Sequence, residues 1–310
     1  MTKINLNNHK IKSVCLSIAI ITICIFVTWL AGGTPYLLET IVTITLLLIL
    51  APYISPNVVL SMHQAKFVST SQAKVIHELV HHLSHRANLR HNPKIHYIQS
   101  SNYIAFTVGS GRNAAIALSD GLLLKLNKRE LNAVIAHEVA HIKNQDYRIM
   151  LIANMASVSV FAISLLTLVA YIVSLPLVIF NQTSMSIITL ILFLIASYVI
   201  FHLRIQQSRT RELLADHNAA TICEDPNALI SALEKLEHYH WRWVEKLFFV
   251  RSENPIPLPF RSHPENEERI QYLKEIAKTI KKPGTHFEFS HFGLTVPKHL
   301  REIRSSLYPS

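Results

Sequence analysis

Two patterns alternate along this chain. Some stretches are apolar with no polar period at all, and in others apolar residues recur at helical spacing. The first unbroken run, VCLSIAIITICIFVTWL, extends from Val14 to Leu30, and a second extends from Leu37 to Ile54, ended by Pro52 and Pro56. Between Arg148 and Arg204 there is no Asp, Glu, Lys or Arg, and the polar break NQTS at Asn181 to Ser184 divides that stretch in two. Each half is long enough to cross about 30 Å of hydrocarbon at about 1.5 Å per residue. A buried soluble hairpin seldom runs so long without a charge, so the pattern predicts four transmembrane helices. The first run, behind Lys3, Lys10 and Lys12, exceeds the usual core of a cleaved signal and is soon followed by another, which favours a retained anchor.

The remaining segments show helical and strand periods. From about Ser71 to Ala87, around HELVH, the residues Ile76, Leu79, Val80, Leu83 and Ala87 fall on one stripe. His77, His81 and His85 fall opposite, with Lys74 and Glu78, and a strand follows near Ile95 to Ile98. The stretch KRELNAVIAHEVAHIKNQD, from Lys128 to Asp146, differs. Leu131, Val134, Ile135, Val139 and Ile142 make a continuous core side and alanines fill much of the rest, so this helix must be buried. Just before it, NAAIAL (Asn113 to Leu118) reads as a short apolar strand.

Composition agrees with the membrane reading: half of the 310 residues are hydrophobic and only 16% are charged. The net charge of +10 has its explanation in where the charges lie. The connections AGGTPY and NQTS carry no Lys or Arg, whereas the amino terminus, residues 55–148 and everything after Arg204 are rich in both. The positive-inside rule then puts both termini and both polar segments in the cytoplasm. No nucleic-acid motif accompanies the charge. Cys15, Cys24 and Cys223 have no metal-type pair spacing, so neither a disulfide framework nor a cysteine metal site is expected.

HELVH and HEVAH both match the pattern of helical zinc ligands, two histidines four apart with a glutamate between them. In the first the histidines lie on the polar side of an amphipathic helix, a solvated row. In the second, His137 and His141 adjoin a buried core, where an unpaired polar group costs several kcal/mol. Metal ligation supplies the reason: the spacing aims both imidazoles at one ion, with Glu138 beside them to handle water. A third protein ligand is then required. SRTRELLADHNAA offers Glu212 and Asp216, four apart on one helical face. One carboxylate could bind metal while the other accepts an N–H from a ligand histidine.

These residues resemble the HtpX family of integral-membrane zinc metalloproteases, which are related to the CaaX prenyl proteases. The parts run in the family's order: two spans, NAAIALSDGLL, HEVAHIKNQD, a membrane hairpin, RELLAD, and RSHPENEERIQYL. The resemblance implies one catalytic zinc on His137, His141 and Glu212, with Glu138 as general base and Asp216 orienting a histidine. It also implies that His263, with Pro264, lies near the substrate together with Arg269. His217 follows Asp216 where the family usually has a small residue, which makes it a candidate for a competing ligand. SNYIAF (Ser101 to Phe106) loosely matches the family's Asn-Ala-Phe-Ala stretch. The tail from Lys281 has no counterpart in the family.

The expected fold class is a mainly α membrane protein: four transmembrane helices and a cytoplasmic α+β metalloprotease domain split by the second hairpin. Its parts are an amino-terminal hairpin (1–54), the domain's first part with HEVAH (55–150), the second hairpin (151–204), the domain's second part with the third ligand (205–280) and a tail (281–310). The resemblance further implies a bacterial inner-membrane endopeptidase that acts on membrane or misfolded protein substrates. Zinc would polarise the scissile carbonyl, and Glu138 would move the water's proton to the leaving amine. His263 or Arg269 could donate to the oxyanion or hold the substrate backbone. An extended substrate could pair with Asn113, Ala115 and Ala117 if NAAIAL is an edge strand; otherwise it is a plain core strand. A CaaX-type prenyl-protein protease would have more spans. A non-enzymatic metal-handling membrane protein would need ionisable residues inside the spans, and these have almost none beyond Glu39. The sequence assigns no oligomeric state.

Overall fold

The computed structural model describes residues 6–50, 56–179, 187–236 and 266–279. Contacts divide the chain into two compact units, one of residues 7–54 and 148–211, the other of residues 1–6, 55–147 and 212–310.

The first unit is helical. Helix α1 covers Leu6–Leu50 and breaks at Gly33, whose φ of 69° and ψ of −152° lie outside the helical region. The glycine-containing connection AGGTPY therefore does interrupt the two apolar runs. Helices α6 (Asp146–Ile179) and α7 (Ile187–Cys223) follow in sequence from the second polar segment. Among the described residues three helices are long and apolar enough to cross a membrane: His9–Leu30, Asp146–Val173 and Ile187–Cys223. The second run is helical as far as Leu50, and residues 51–55 lie outside the described ones. Ile20, Cys24 and Val27 of α1 pack with Ala153 and Val160 of α6 and with Phe193, Ala196 and Ile200 of α7. Small residues let the helices approach, and Ser164 and Ser197 clasp α6 to α7 with hydroxyl oxygens 2.6 Å apart. Large apolar side chains such as Phe161, Leu166, Val173 and Ile188 point outward, as a helix surrounded by lipid requires.

The second unit is a four-stranded sheet with helices. Its strands are β1 (Lys66–Phe67), β2 (Lys94–Ile98), β3 (Ala105–Val108) and β4 (Ala115–Ser119), in the order β1-β2-β4-β3. β4 runs parallel to β2 and antiparallel to β3. It is therefore a central strand, buried along its length. The edge-strand expectation for Asn113, Ala115 and Ala117 is wrong: the chain passes through β3 before β4, and β3 takes the outer place. Asn113 sits instead in an exposed turn of 3-10 helix, Gly111–Asn113. Gly109 ends β3 at φ 75°, and a Cβ there would fall 2.2 Å from the Asn113 carbonyl oxygen, so only glycine fits the turn.

Alternation along the strands sorts two cores. Ile116 and Leu118 face a large cluster that includes Leu131, Ile135 and Val139. Ala115, Ala117 and Val108 face a smaller one built with Leu60 of α2 (Pro56–Met62). Helix α3 (Lys74–Arg86) joins the large cluster through Ile76, Leu79, Val80 and Leu83, with Ala87 just beyond its end. Helix α4 (Asp120–Lys125) is capped by Ser119, whose hydroxyl accepts the Leu122 N–H. α5 (Lys128–Asn144), α8 (Pro226–Leu236) and α9 (Asn266–Thr279) complete the unit.

Candidate metal centre

Helix α5 is buried on nearly every side. It opens on a capping box: Asn127 Oδ1 accepts the Glu130 N–H at 2.9 Å and the Glu130 carboxylate accepts the Asn127 N–H at 3.0 Å. It ends at Gln145, which takes the left-handed conformation (φ 56°, ψ 34°) and breaks the helix there. Between these ends, His137 and His141 project from consecutive turns. Across from them, α7 presents Glu212 and, one turn on, Asp216. Asn218 of α7 donates to Asn144 of α5 at 2.8 Å, which ties the two helices together beside the site.

The side chains of His137, His141 and Glu212 converge. The two imidazole Nε2 atoms are 3.1 Å apart, His137 Nε2 is 3.4 Å from Glu212 Oε2, and His141 Nε2 is 3.8 Å from Glu212 Oε1. A tetrahedral zinc with ligand distances of about 2.0–2.1 Å separates its ligand atoms by roughly 3.3 Å. These separations are close to that size, and two imidazoles with one carboxylate is a zinc-type donor set. Behind the imidazoles, His137 Nδ1 lies 3.0 Å from Asp216 Oδ1 and His141 Nδ1 lies 2.7 Å from Asp146 Oδ2. A carboxylate at each Nδ1 keeps its proton there and leaves the Nε2 lone pair turned inward.

Charge makes the same demand. Glu138, Glu212, Asp216 and Asp146 are all buried here, with Arg269 as the buried cation beside them. Burial by itself would lower the His137 imidazole, but the Asp216 and Glu212 carboxylates outweigh it and lift its pKa to about 10. His141 is likewise raised, with the Asp146 carboxylate overcoming the effect of burial. Unmetallated, the site draws in protons where a divalent cation would sit. The residues fit the ion.

Arg269 donates from Nε to Asp216 Oδ2 at 2.7 Å and from Nη2 to Asp216 Oδ1 at 2.6 Å, while Nη1 lies 3.5 Å from Glu212 Oε2. Its Nε and Nη2 edge is taken up by Asp216, where the sequence pointed to an oxyanion or substrate donor. His263 lies outside the described residues. His217 is half-buried on the next position of α7 and is not in the converging group. Glu138 is buried and accepts a hydrogen bond on Oε2 from the Thr107 hydroxyl of β3 at 2.7 Å. The HELVH histidines lie elsewhere: His77 Nε2 is 2.9 Å from the Val68 carbonyl oxygen, and His81 is exposed.

A family model described as peptidase family M48 matches residues 70–277, which is most of the second unit and the hairpin within it. The chain belongs to peptidase family M48. Relatives within reach of this M48 sequence include a "Protease HtpX homolog" of Aquifex aeolicus, 31% identical over 80% of this chain and 87% of the relative. A second, of Pyrococcus abyssi, is 34% identical over 81% of this chain and 93% of the relative. A third, of a Sulfurihydrogenibium species, is 30% identical over 90% and 99%. Together with its apolar helices, M48 membership makes this a membrane-associated metalloendopeptidase.

Two groups of the M48 site escaped sequence reasoning. Asp146 is five residues beyond His141, past the left-handed Gln145 that ends the helix; the polar NQD closing a buried helix was the available signal. Thr107 is 31 residues from Glu138, and nothing local in the sequence points to the contact.

Proposed function

We propose that this M48 chain is a zinc-dependent endopeptidase with one zinc per subunit on His137, His141 and Glu212. It works at the cytoplasmic face of a bacterial inner membrane, cutting membrane or misfolded proteins. The observation that carries the reading is the inward convergence of two imidazole Nε2 atoms and the Glu212 carboxylate within 4.8 Å, next to a buried glutamate. Four spans, both termini inside, follow from the apolar runs and from the lysines and arginines outside the two short connections.

Bound zinc supplies a Lewis acid that polarises the scissile carbonyl and acidifies the attacking water. Glu138, one residue from a ligand, accepts the water's proton and delivers it to the leaving amine. Asp216 and Asp146 hold the two imidazoles in the tautomer that faces inward. Arg269 offsets the buried charge of Asp216 and keeps it from rotating. The substrate strand pairs with the outer edge of β3, beyond which no further strand lies among the described residues. His263, six positions before Arg269, supplies a donor to the developing oxyanion.

The test is hydrolysis of an unfolded protein such as casein by the detergent-purified chain, with zinc, with chelator, and with chelator followed by zinc. Activity that survives complete metal removal overturns the reading. Topology is checked separately: a cysteine placed in NQTS should react with an impermeant thiol reagent outside intact cells, and one near Glu253 should not.

A further inference from the structure

The β3 strand does two things at once. Ile104, one residue before its start, accepts the Ser119 N–H on its carbonyl oxygen at 2.9 Å, in the same antiparallel register as Phe106 with Ala117 and Val108 with Ala115. Main-chain groups in such a pair alternate between the partner and the outside. Ile104, Phe106 and Val108 therefore turn theirs to β4, and Ala105 and Thr107 present their N–H and C=O to the outer edge. The Thr107 side chain lies on the face that α5 covers. Its oxygen is 2.7 Å from Glu138 Oε2 and 3.1 Å from the Glu138 main-chain carbonyl oxygen. The hydroxyl has one proton to donate, and the nearer, charged oxygen takes it.

We propose that Thr107 is a positioning residue for the base: it pins one oxygen of Glu138 so that the other meets the water. Its main chain is the point where a substrate strand attaches. A glutamate carboxylate turns about three side-chain torsions, and its last torsion is broad. With Oε2 fixed to a strand, Oε1 is left in one direction. A peptide that pairs with the Thr107 main chain holds the strand still, and through the hydroxyl it holds the base. This rests on the reading of Glu138 as the proton acceptor.

The experiment compares Thr107→Val and Thr107→Ser in the zinc-loaded full chain, on a peptide long enough to pair with β3. Val keeps the branched shape that suits a strand but has no proton to donate. Thr107→Val should lose kcat on the order of tenfold, with KM within about twofold, because a misdirected base slows chemistry without weakening binding. Zinc content should match the wild type, and the thermal midpoint should fall by no more than the loss of one hydrogen bond to a charged group explains, equally with and without substrate peptide. Thr107→Ser should restore kcat to within about threefold, since the donor returns. In a Glu138→Gln background, Thr107→Val should remove nothing further from the residual turnover. Wild-type kcat in Thr107→Val, equal losses in Val and Ser, or the same loss with and without Glu138 would each overturn the proposal. Should Val not accumulate as folded protein, Thr107→Ala is read against Ser in its place. A fully active Glu138→Gln strikes the underlying reading, whereas an inactive Glu138→Gln beside a wild-type-like Val strikes only this one.

Discussion

Helices α3 and α5 each carry a glutamate between histidines four apart, yet they have different fates. In α3 the apolar stripe of Ile76, Leu79, Val80 and Leu83 is buried, and the histidines lie on the other side. His81 and His85 stay exposed, and His77 bonds a backbone carbonyl. Glu78 lies 3.9 Å from Lys74 of the preceding turn. In α5 burial extends around the helix. Each imidazole has a carboxylate at Nδ1, and a second helix brings Glu212 to the Nε2 side. The spacing in the pentapeptide aims two imidazoles in one direction. A metal site arises only where burial has removed water as their partner and another element supplies the remaining charge.

The largest effect should separate the two helices. His141→Ala should lose metal and essentially all turnover, whereas His81→Ala should keep both, as read by metal analysis and a peptide assay. The reverse outcome would assign the site to α3. Glu138→Gln should retain metal and fold while losing about 10²- to 10⁴-fold in kcat, because an amide cannot take the proton.

Next come the residues behind the imidazoles, which α3 has no match for among the described residues. Asp216→Ala should weaken metal affinity about 10- to 100-fold. Arg269→Ala removes the partner of a buried carboxylate, together with a nitrogen 3.5 Å from Glu212, and its main effect should be a loss of about 3–5 kcal/mol of stability. Metal titration and unfolding midpoints separate the two. Normal stability in Arg269→Ala would show that the Asp216 pairing is not needed to hold α9 against α7.

The contrast also marks what the sequence could and could not reveal. Helical period alone made the α3 stripe, the burial of α5 and the aim of its two histidines legible, because those follow from residues within one element. The Glu212 and Asp216 pair was legible as a helical face but not as to which carboxylate turns inward; that depends on how α7 meets α5. Strand order was not legible. After its leading Asn113, NAAIAL is apolar at every position, as a strand covered on both faces must be. That signal marks a centre rather than an edge, and β3, with its half-exposed Phe106 and Thr107, takes the edge. The Asp146 contact lies past the left-handed Gln145, and Arg269 needed a fold that returns α9 to α7.

A smaller effect concerns the glutamate outside each motif. Glu130 is buried, accepts from Ser231 at 2.6 Å and from Lys235 at 2.8 Å, and so joins α5 to α8. Burial alone would raise its carboxyl, but Lys235, Ser231 and the Asn127 N–H outweigh that and hold it below its ordinary 4.5. A carboxyl depressed on folding contributes stability that is present above its unfolded pKa and is lost as pH falls through the folded one. Stability should therefore fall below pH 4.5 in the wild type, and fall less in Glu130→Gln. Lys235→Ala should cost about 1.5–3 kcal/mol, the usual worth of a hydrogen bond to a charged group. Equal acid sensitivity in both proteins would remove Glu130 from the account.

The smallest effects belong to α3, and they sharpen the comparison because they must be purely structural. The Lys74–Glu78 pair is an exposed i, i+4 contact, and such pairs are worth about 0.3–0.5 kcal/mol. Glu78→Gln should accordingly shift stability by no more than about 0.5 kcal/mol, with metal and turnover untouched. His77 has slightly more at stake. Its Nε2 and the Val68 carbonyl oxygen, 2.9 Å apart, connect the helix to the segment that leaves β1. A neutral hydrogen bond of this kind contributes about 0.5–1.5 kcal/mol net, and a half-exposed one belongs near the lower end because water can replace the ring. His77→Ala should thus lower the unfolding midpoint measurably while metal content, kcat and KM stay at wild-type values. Any loss of metal in that variant would mean that the first pentapeptide takes part in the centre after all, and the burial argument that divides α3 from α5 would have to be given up.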